Sequence, residues 1–267
     1  MTGKQRALAA IAGKPTDRPS VLPSIDVAYA PECIGETVGA CFRDPKRHAR
    51  ALMGALDKYP EIDGLYVNLC LSDSHLTRRP NGLYDDGHGL HWYVPEKDVG
   101  TVKIHEIEEL DDPRVSEDTS LRFGILETFA AIEPSYKEKY LIMPGITGPY
   151  SQLVFMMGLE NVLIMMYDDP EGMKEAIAGC SAIDIDYMVP MDLVRHHLGQ
   201  AACLKGNLNP VDLLSKSADE VYELCREIYR QAEGPMILGT GCLVAPKTPK
   251  ENLEAMIRAS RSMAEET

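Results

Sequence analysis

The sequence predicts an α/β protein built around a parallel β-sheet. Short apolar runs rich in β-branched residues recur along the chain and barely alternate in polarity, as is typical of strands buried on both faces. Helical segments separate these runs, and strand–helix alternation indicates βα units. The 267 residues suffice for one large domain, with 45% hydrophobic and 25% charged residues. This balance excludes a disordered tail, a collagenous fibre and a disulfide-stabilised mini-domain.

Six of the apolar runs are predicted strands. A closed (β/α)8 barrel needs eight strands, whereas a doubly wound sheet tolerates fewer. Neither a G-x-G-x-x-G motif nor a phosphate-binding loop follows the first run, so a nucleotide-binding sheet has no support. The dense Gly and Asp content of residues 77–101 favours a hairpin excursion outside the sheet. The predicted strands are residues 19–27, 64–70, 140–146, 182–188, 201–208 and 236–242.

Helices are predicted where capping residues precede helically spaced apolar residues. Asp44 and Asp169 are each followed by proline, which suits an N-cap and the first helical position. Two further segments have the spacing of a capping box. These signals predict helices over residues 2–12, 44–58, 169–179 and 190–198, and capping boxes at Ser217/Glu220 and Thr248/Glu251.

The charge of the chain excludes two classes of partner. Lys and Arg number 27 and Asp and Glu 41, a formal net charge of −14. An acidic chain repels phosphate backbones and anionic lipid, so neither nucleic acid nor a membrane surface is an expected partner. The longest uncharged stretch, residues 141–159, contains Pro144 and Pro149 and favours a strand and a turn over a membrane span. No secretory signal is visible, so we expect a cytoplasmic protein.

The seven cysteines do not predict a disulfide framework, because their number is odd and no secretory signal is visible. No C-x-x-C pair occurs, which excludes a self-contained zinc ribbon or a thioredoxin-type motif. Most of these thiols are expected to be buried and inert.

Several segments carry a family resemblance, in order along the chain. They are Lys-Gln-Arg at 4–6, Gly-Lys-Pro-Thr-Asp-Arg-Pro at 13–19, Gly-Ile-Thr-Gly-Pro-Tyr at 145–150, Gly-Asn-Leu-Asn-Pro at 206–210, Gly-Cys at 241–242 and Thr-Pro-Lys-Glu-Asn at 248–252. Together they resemble the opening, the central strand end and the last two βα units of the uroporphyrinogen decarboxylase superfamily. The resemblance covers nearly the whole chain and implies one TIM-type (β/α)8 barrel domain over residues 1–267.

The superfamily divides by chemistry. One branch decarboxylates the acetate arms of uroporphyrinogen without a cofactor. Its arginine cluster, which grips substrate carboxylates, should follow the first strand, where this sequence has Ser-Ile-Asp-Val at 24–27. Its aspartate at the end of the second strand aligns with Cys70, and Asp73 comes three residues later. An acidic chain without those arginines is a poor host for a polyanionic porphyrinogen.

The other branch moves a methyl group between a corrinoid protein and a thiol or similar acceptor, with zinc. Cys242 stands at the position of that branch's last zinc-binding cysteine, and Thr240 stands where the decarboxylase has a His. The resemblance therefore implies a corrinoid carried by a partner protein, a small-molecule methyl acceptor, and Zn²⁺ with Cys242 as a ligand. Zinc would lower the pKa of a thiol acceptor, so that the thiolate attacks the methyl group.

The His-x-Cys pair that supplies this branch's other zinc ligands occurs nowhere in the sequence. The chain passes directly through Gly179 and Cys180 into the predicted strand at 182, where the family has about two more βα units. We therefore expect an incomplete barrel of about six strands, an incomplete zinc ligand set, and methyl transfer that is slow or absent. Unpaired strand edges would favour a homodimer.

The candidate site residues end the predicted strands or begin the turns after them, because a barrel carries its functional loops at the carboxyl ends of its strands. Cys242 and Asp73 are the predicted catalytic residues, and His75 lies close to Asp73 in sequence. Asp184 shares a strand face with Asp186. The predicted substrate-binding residues are Asn68, Cys70, Gly148, Tyr150, Asp186 and Asn207.

Three functions stay open from the sequence. They are methyl transfer, the carboxy-lyase reaction on uroporphyrinogen in porphyrin biosynthesis, and a non-catalytic barrel that binds a corrinoid protein. Zinc stoichiometry separates the first from the last, and turnover of uroporphyrinogen would identify the second.

Overall fold

Parallel strands lie where the apolar runs predict them, and helices separate them. The structure, a computed structural model, describes residues 1–67, 70, 77–78, 84–85, 91–93, 103–105, 119–144, 182–200 and 202–265. Its strands are β1 (Ser20–Val21), β2 (Gly64–Val67), β3 (Thr77–Arg78), β4 (Tyr84–Asp85), β5 (His91–Tyr93), β6 (Lys103–His105), β7 (Leu141–Pro144), β8 (Ala182–Asp184), β9 (Cys203–Leu208) and β10 (Met236–Thr240).

The helices alternate with the parallel strands, as βα units require. They are α1 (Gly3–Ile11), α2 (Val38–Arg43), α3 (Pro45–Lys58), α4 (Thr119–Ala131), α5 (Pro134–Lys139), α6 (Met191–Leu198), α7 (Pro210–Ser215), α8 (Ala218–Ala232) and α9 (Lys250–Glu265), with a 3₁₀ helix at Ala30–Ile34. The predicted helix over 169–179 and the junction at 179–180 lie outside the described residues. Among the described residues, no helix combines the length and the apolar character needed to cross a membrane.

The parallel strands have the neighbour order of a barrel. Hydrogen bonds join β1, β10, β9 and β8 in one sheet, and β2 to β7 in another. Asp63, directly before β2, links the two sheets, because its N–H donates to the carbonyl of Val21 in β1 at 2.8 Å. The strands therefore follow one another as β7, β2, β1, β10, β9 and β8, as neighbours do around a (β/α)8 barrel. The predicted α/β class and TIM-type barrel are confirmed.

The strands are shorter than the apolar runs that predict them. β1 covers two residues of the predicted 19–27. Pro23 has no N–H for a strand ladder. The carbonyl of Asp26 then accepts the N–H groups of Tyr29 and Ala30, at 3.0 and 2.8 Å, and the chain turns into the 3₁₀ helix.

A third sheet, which is antiparallel and has four short strands in the order β3-β4-β5-β6, lies between β2 and α4 in sequence. Trp92 of β5 is in register with Tyr84 of β4 and with Ile104 of β6. This sheet covers much of the segment for which the sequence favours an excursion, and it continues to His105.

Among the described helices, the starts follow the predicted caps with one exception. The carboxylate of Asp44 accepts two N–H groups of the first turn of α3, at 2.9 and 3.1 Å. Ser217 and Glu220 form the predicted capping box of α8. The box predicted for α9 is wrong, because the hydroxyl of Thr248 donates to the carbonyl of Ala245 at 2.7 Å and the helix begins at Lys250.

A buried ion network lies at the amino-terminal ends of β1 and β2. Asp63, 1% exposed, binds Arg6 of α1 and Arg18, which precedes β1. Arg6 also binds Asp17 at 2.6 Å, and this contact lowers the pKa of Asp17. The network joins the N-terminal helix to two neighbouring strands at the end of the barrel opposite the functional loops.

Candidate active site

A buried lysine lies at the centre of a polar cluster inside the barrel. Lys205 belongs to β9, a strand whose residues are all buried, and its side chain is 3% exposed. Its ammonium lies 4.8 Å from the ring centroid of Tyr66 in β2. Because β1 and β10 separate β2 from β9 in the strand order, this contact spans the barrel interior. We call Ser24, Tyr66, Asp184, Lys205 and Thr240 the Lys205 cluster.

Each proton of the Lys205 ammonium has a partner in the cluster. The Nζ atom donates to Ser24 Oγ at 2.7 Å, to Asp184 Oδ2 at 2.8 Å and to the carbonyl of Thr240 at 3.3 Å. A lysine ammonium has three donors, so these bonds use all of them. The side chain thereby joins β8, β9, β10 and the segment after β1.

Asp184 is the solvent-exposed member of the cluster, with a side chain that is 47% exposed. Desolvation raises the pKa of its carboxyl, although Lys205 and a hydrogen bond from Tyr66 oppose the rise. Desolvation likewise lowers the pKa of Lys205, and Asp184 opposes that change. Burial raises the pKa of the Tyr66 phenol, with Asp184 adding to the rise. Burial therefore disfavours the charged forms of all three groups, and the contact between Lys205 and Asp184 offsets part of that cost.

Gly239 of β10 has no side chain, and the side chain of Lys205 occupies the space beside it. A Cβ atom at Gly239 would lie 2.7 Å from the carbonyl oxygen of Leu22 and 2.8 Å from Cε of Lys205. Since Cβ atoms are not found this close to other heavy atoms, only glycine allows the lysine to cross β10 here.

Cys242 is exposed in the turn that follows β10. The hydroxyl of Thr240 donates to the carbonyl of Cys242 at 2.6 Å and accepts the N–H of Ser24 at 3.1 Å. A Cβ at Gly241 would lie 2.3 Å from the backbone nitrogen of Tyr187, so the loop after β8 packs directly on this turn. The turn that carries Cys242 is thus held from both sides, and its thiol faces solvent at the carboxyl ends of the strands.

Asp186 and Asn207, two predicted substrate-binding residues, lie beside the same turn. The Asn207 amide is 9% exposed and donates to the carbonyl of Val189 at 2.7 Å. Asp186 is exposed, and its Oδ1 accepts the N–H of Met188 at 2.7 Å. Both side chains shape the loop between β8 and α6, so the structure brings Asp186, Asn207 and Cys242 to one end of neighbouring strands.

Cys70 has a different environment. It is fully buried, and its Sγ lies 3.6 Å from the carbonyl of Cys41. Burial raises the pKa of its thiol to about 12, so the thiol stays protonated near neutral pH. The other predicted site residues, Asn68, Asp73, Gly148 and Tyr150, lie outside the described residues, as does His75.

Lys205, Ser24 and Tyr66 were not among the site residues predicted from the sequence. A signal for Lys205 was present, because it is the one charged residue in the apolar run 201–208. Asp184 stands out in the same way among apolar neighbours. A charge in a strand buried on both faces needs a partner, and each of these two residues is the partner of the other.

The described residues do not complete a metal site. Within them, no three His, Cys, Asp or Glu side chains converge as metal ligands. Cys242 could supply one thiolate, whereas zinc sites use three or four protein ligands.

Comparison with known proteins agrees with the resemblance. Residues 172–263 match the family model "Uroporphyrinogen decarboxylase (URO-D)". A uroporphyrinogen decarboxylase of Wolbachia sp. subsp. Brugia malayi is 36% identical over 84 residues, 32% of this chain and 24% of that protein. A methylated-thiol–coenzyme M methyltransferase of Methanosarcina mazei is 35% identical over 89 residues, 33% of this chain and 23% of that protein. These alignments span about a quarter of the length of the curated relatives.

The similarity in fold to a known protein extends over more of the chain than the similarity in sequence. A solved methyltransferase from Methanosarcina mazei superimposes with a TM-score of 0.73 and 15% identity, covering 98% of this chain and 99% of that one. At this identity the likeness concerns the fold. Residues 172–263 are thus similar in sequence to the uroporphyrinogen decarboxylase family, and the chain as a whole shares its barrel fold with the solved methyltransferase.

Proposed function

We propose that the chain is a methyltransferase-like member of this superfamily, which moves a methyl group between a corrinoid carried by a partner protein and a small-molecule thiol acceptor. The observation that carries the proposal is the Cys242 thiol, exposed at the carboxyl end of β10 in a turn fixed by Thr240. The relative named as a methylated-thiol methyltransferase and the fold of the solved methyltransferase favour the same branch.

Decarboxylation of uroporphyrinogen is the second candidate, because several curated relatives carry that name. Among the described residues, the positions of Arg6 and Arg18 argue against it. The segment after β1 holds Ser24, bound to Lys205, and Asp26, which is fully buried 3.0 Å from His48. Arg6 and Arg18 lie at the opposite end of the strands on Asp63. A polyanionic substrate at the carboxyl end needs cationic groups there.

Zinc is part of the proposal only through Cys242. The thiolate of Cys242 would be one ligand, and Asp73 and His75, outside the described residues, are the candidates to complete the set. We expect this chain by itself to bind zinc weakly or not at all, because a single thiolate does not make a zinc site. Location in the cytoplasm and assembly with a second copy are likewise predictions from the sequence.

The test is an assay of thioether formation. Purified protein is incubated with methylcobalamin and 2-mercaptoethanol, and the methylated thiol is measured by mass spectrometry. We expect slow, enzyme-dependent formation in wild type, loss in Cys242→Ser, and no change in the matched Cys33→Ser variant, whose half-buried thiol belongs to the 3₁₀ helix. Release of CO₂ from uroporphyrinogen without thioether formation would establish the decarboxylase instead. Binding of a corrinoid protein without either reaction would establish a non-catalytic barrel.

A further inference from the structure

The Lys205 cluster presents one open group to the barrel mouth. The ammonium of Lys205 is 3% exposed and its donors are bound to Ser24, Asp184 and Thr240. Lys205 therefore has no donor left for a ligand. Asp184 uses Oδ2 to accept from Lys205, yet its side chain is 47% exposed. What the cluster offers to a bound molecule is a carboxylate, which accepts protons and hydrogen bonds.

We propose that Asp184 is a catalytic proton acceptor for the thiol of the methyl acceptor, and that Lys205 and Tyr66 position its carboxylate. This inference rests on the proposed function and names the substrate class of the same site: a small neutral thiol whose S–H bond points at Asp184. None of these three residues was among the predicted catalytic or substrate-binding residues.

The step balances in atoms and charge. The S–H bond breaks, its proton bonds to an Asp184 oxygen, and the electron pair stays on sulfur. The thiolate then attacks the methyl group of a methylated corrinoid, forming an S–CH₃ bond while the carbon–cobalt bond breaks and its electrons stay on cobalt. Release of the proton from Asp184 to solvent, across the exposed part of the side chain, restores the carboxylate.

The surroundings of Asp184 suit this role. Lys205 of β9 donates to Oδ2 of the carboxylate and opposes the rise in its pKa, and Tyr66 of β2 donates to the same carboxylate across the barrel. Asp186, two residues later, adds negative charge that favours proton uptake by Asp184. Desolvation raises the pKa of Asp184, so the free-energy cost of moving a thiol proton onto it falls.

The experiment measures thiolate formation and methyl transfer separately. 2-Mercaptoethanol is added to the protein, thiolate is followed by its ultraviolet absorbance, and ethylene glycol serves as the matched ligand without a thiol. The variants are Asp184→Asn, Lys205→Met and Tyr66→Phe. The control is Asp192→Asn, an exposed aspartate in the first turn of α6. Methyl transfer from methylcobalamin is measured on the same samples across pH.

We expect Asp184→Asn to lose the thiolate signal, while Asp192→Asn matches wild type. The rate of methyl transfer in Asp184→Asn should fall about 10²–10⁴-fold, the usual contribution of a general base. Lys205→Met and Tyr66→Phe should move the acidic limb of the pH–rate profile to higher pH, because each removes a group that favours the ionised carboxylate. A merely structural role would lower the rate without moving that limb. These two variants also carry the test if Asp184→Asn does not fold.

Equal thiolate signals in wild type and Asp184→Asn would overturn the assignment, and so would an unchanged acidic limb in Lys205→Met and Tyr66→Phe. An Asp184-dependent thiolate signal without methyl transfer would contradict the proposed function and still support Asp184 as the proton acceptor. Methyl transfer that survives in Asp184→Asn would support the function and refute the proton acceptor.

Discussion

Asp63 and Val21 exchange two hydrogen bonds: the Asp63 N–H donates to the carbonyl of Val21, and the Val21 N–H donates to Oδ2 of Asp63, both at 2.8 Å. The same carboxylate binds Arg6 and Arg18. The buried side chain of Asp63 therefore bonds to the backbone of β1 and to two cations, at the point where β1 and β2 begin.

Replacing Asp63 by asparagine should destabilise the protein by about 3–5 kcal/mol, because it removes the buried counter-charge of Arg18 and leaves Arg6 with only the half-exposed Asp17. Urea unfolding measures the free energy. The matched control is Asp17→Asn, which removes a contact of Arg6 at a side chain that is 44% exposed, and should cost about 0–1 kcal/mol. Equal losses in the two variants would contradict the special role of Asp63.

Among the described cysteines, Cys242 should react first with iodoacetamide at mildly alkaline pH. Its thiol is exposed, whereas burial raises the pKa of Cys41 and Cys70 to about 12 and that of Cys203 to about 11. The thiolate is the reactive form. Peptide mass spectrometry assigns the label, and Cys242→Ser should remove the fastest phase. Labelling of Cys70 in the folded protein at the rate of Cys242 would contradict the buried placement.

Stability should fall as pH rises above about 8.5, the ordinary pKa of a cysteine in an unfolded chain. The folded pKa values of Cys41 and Cys70 are raised to about 12, so the folded state holds these protons more tightly. The contribution is complete below the unfolded pKa and is lost as pH rises toward the folded one. Thermal melts from pH 8 to 11 measure this fall in stability, which should continue through the pH window between the unfolded and the folded pKa values. A Cys41→Ala/Cys70→Ala variant should show a shallower slope, and an identical slope would exclude these thiols as its source.

Protein purified without a chelator should contain well below one zinc per chain, and Cys242→Ser should contain no less. The reason is that one thiolate supplies too few ligands. Metal analysis by mass spectrometry gives the stoichiometry. One tightly held zinc per chain, lost in Cys242→Ser, would show that residues 68–76 or others complete the site.

The sequence predicts the barrel strands because burial on both faces leaves unbroken apolar runs, and each described parallel strand falls inside such a run. The ends of the strands are less predictable, because they depend on where single residues stop the ladder. Pro23 shortens β1 although the apolar run continues beyond it. At α9, a hydrogen bond from Thr248 to Ala245 replaces a locally plausible cap.

The part of the candidate site that depends on the ends of the strands is predictable from the sequence. The part that depends on closure of the barrel is not. Cys242 could be placed after the last strand from local pattern. The Lys205 cluster joins residues from position 24 to position 240, and its geometry exists only once non-neighbouring strands face one another. Local spacing contains no information on which residue lies opposite Tyr66.

The pairing of the first strand with the last sets the order in which the protein can form during its synthesis. Ser20 and Val21 are in register with Ile237 and Leu238. This edge of β1 therefore cannot pair until more than two hundred further residues have been translated. Contacts so distant in sequence form late and slowly. The segment around β1, with its buried residues Val21, Leu22 and Ile25, therefore stays without this partner strand throughout that interval, as an apolar segment that a chaperone could bind.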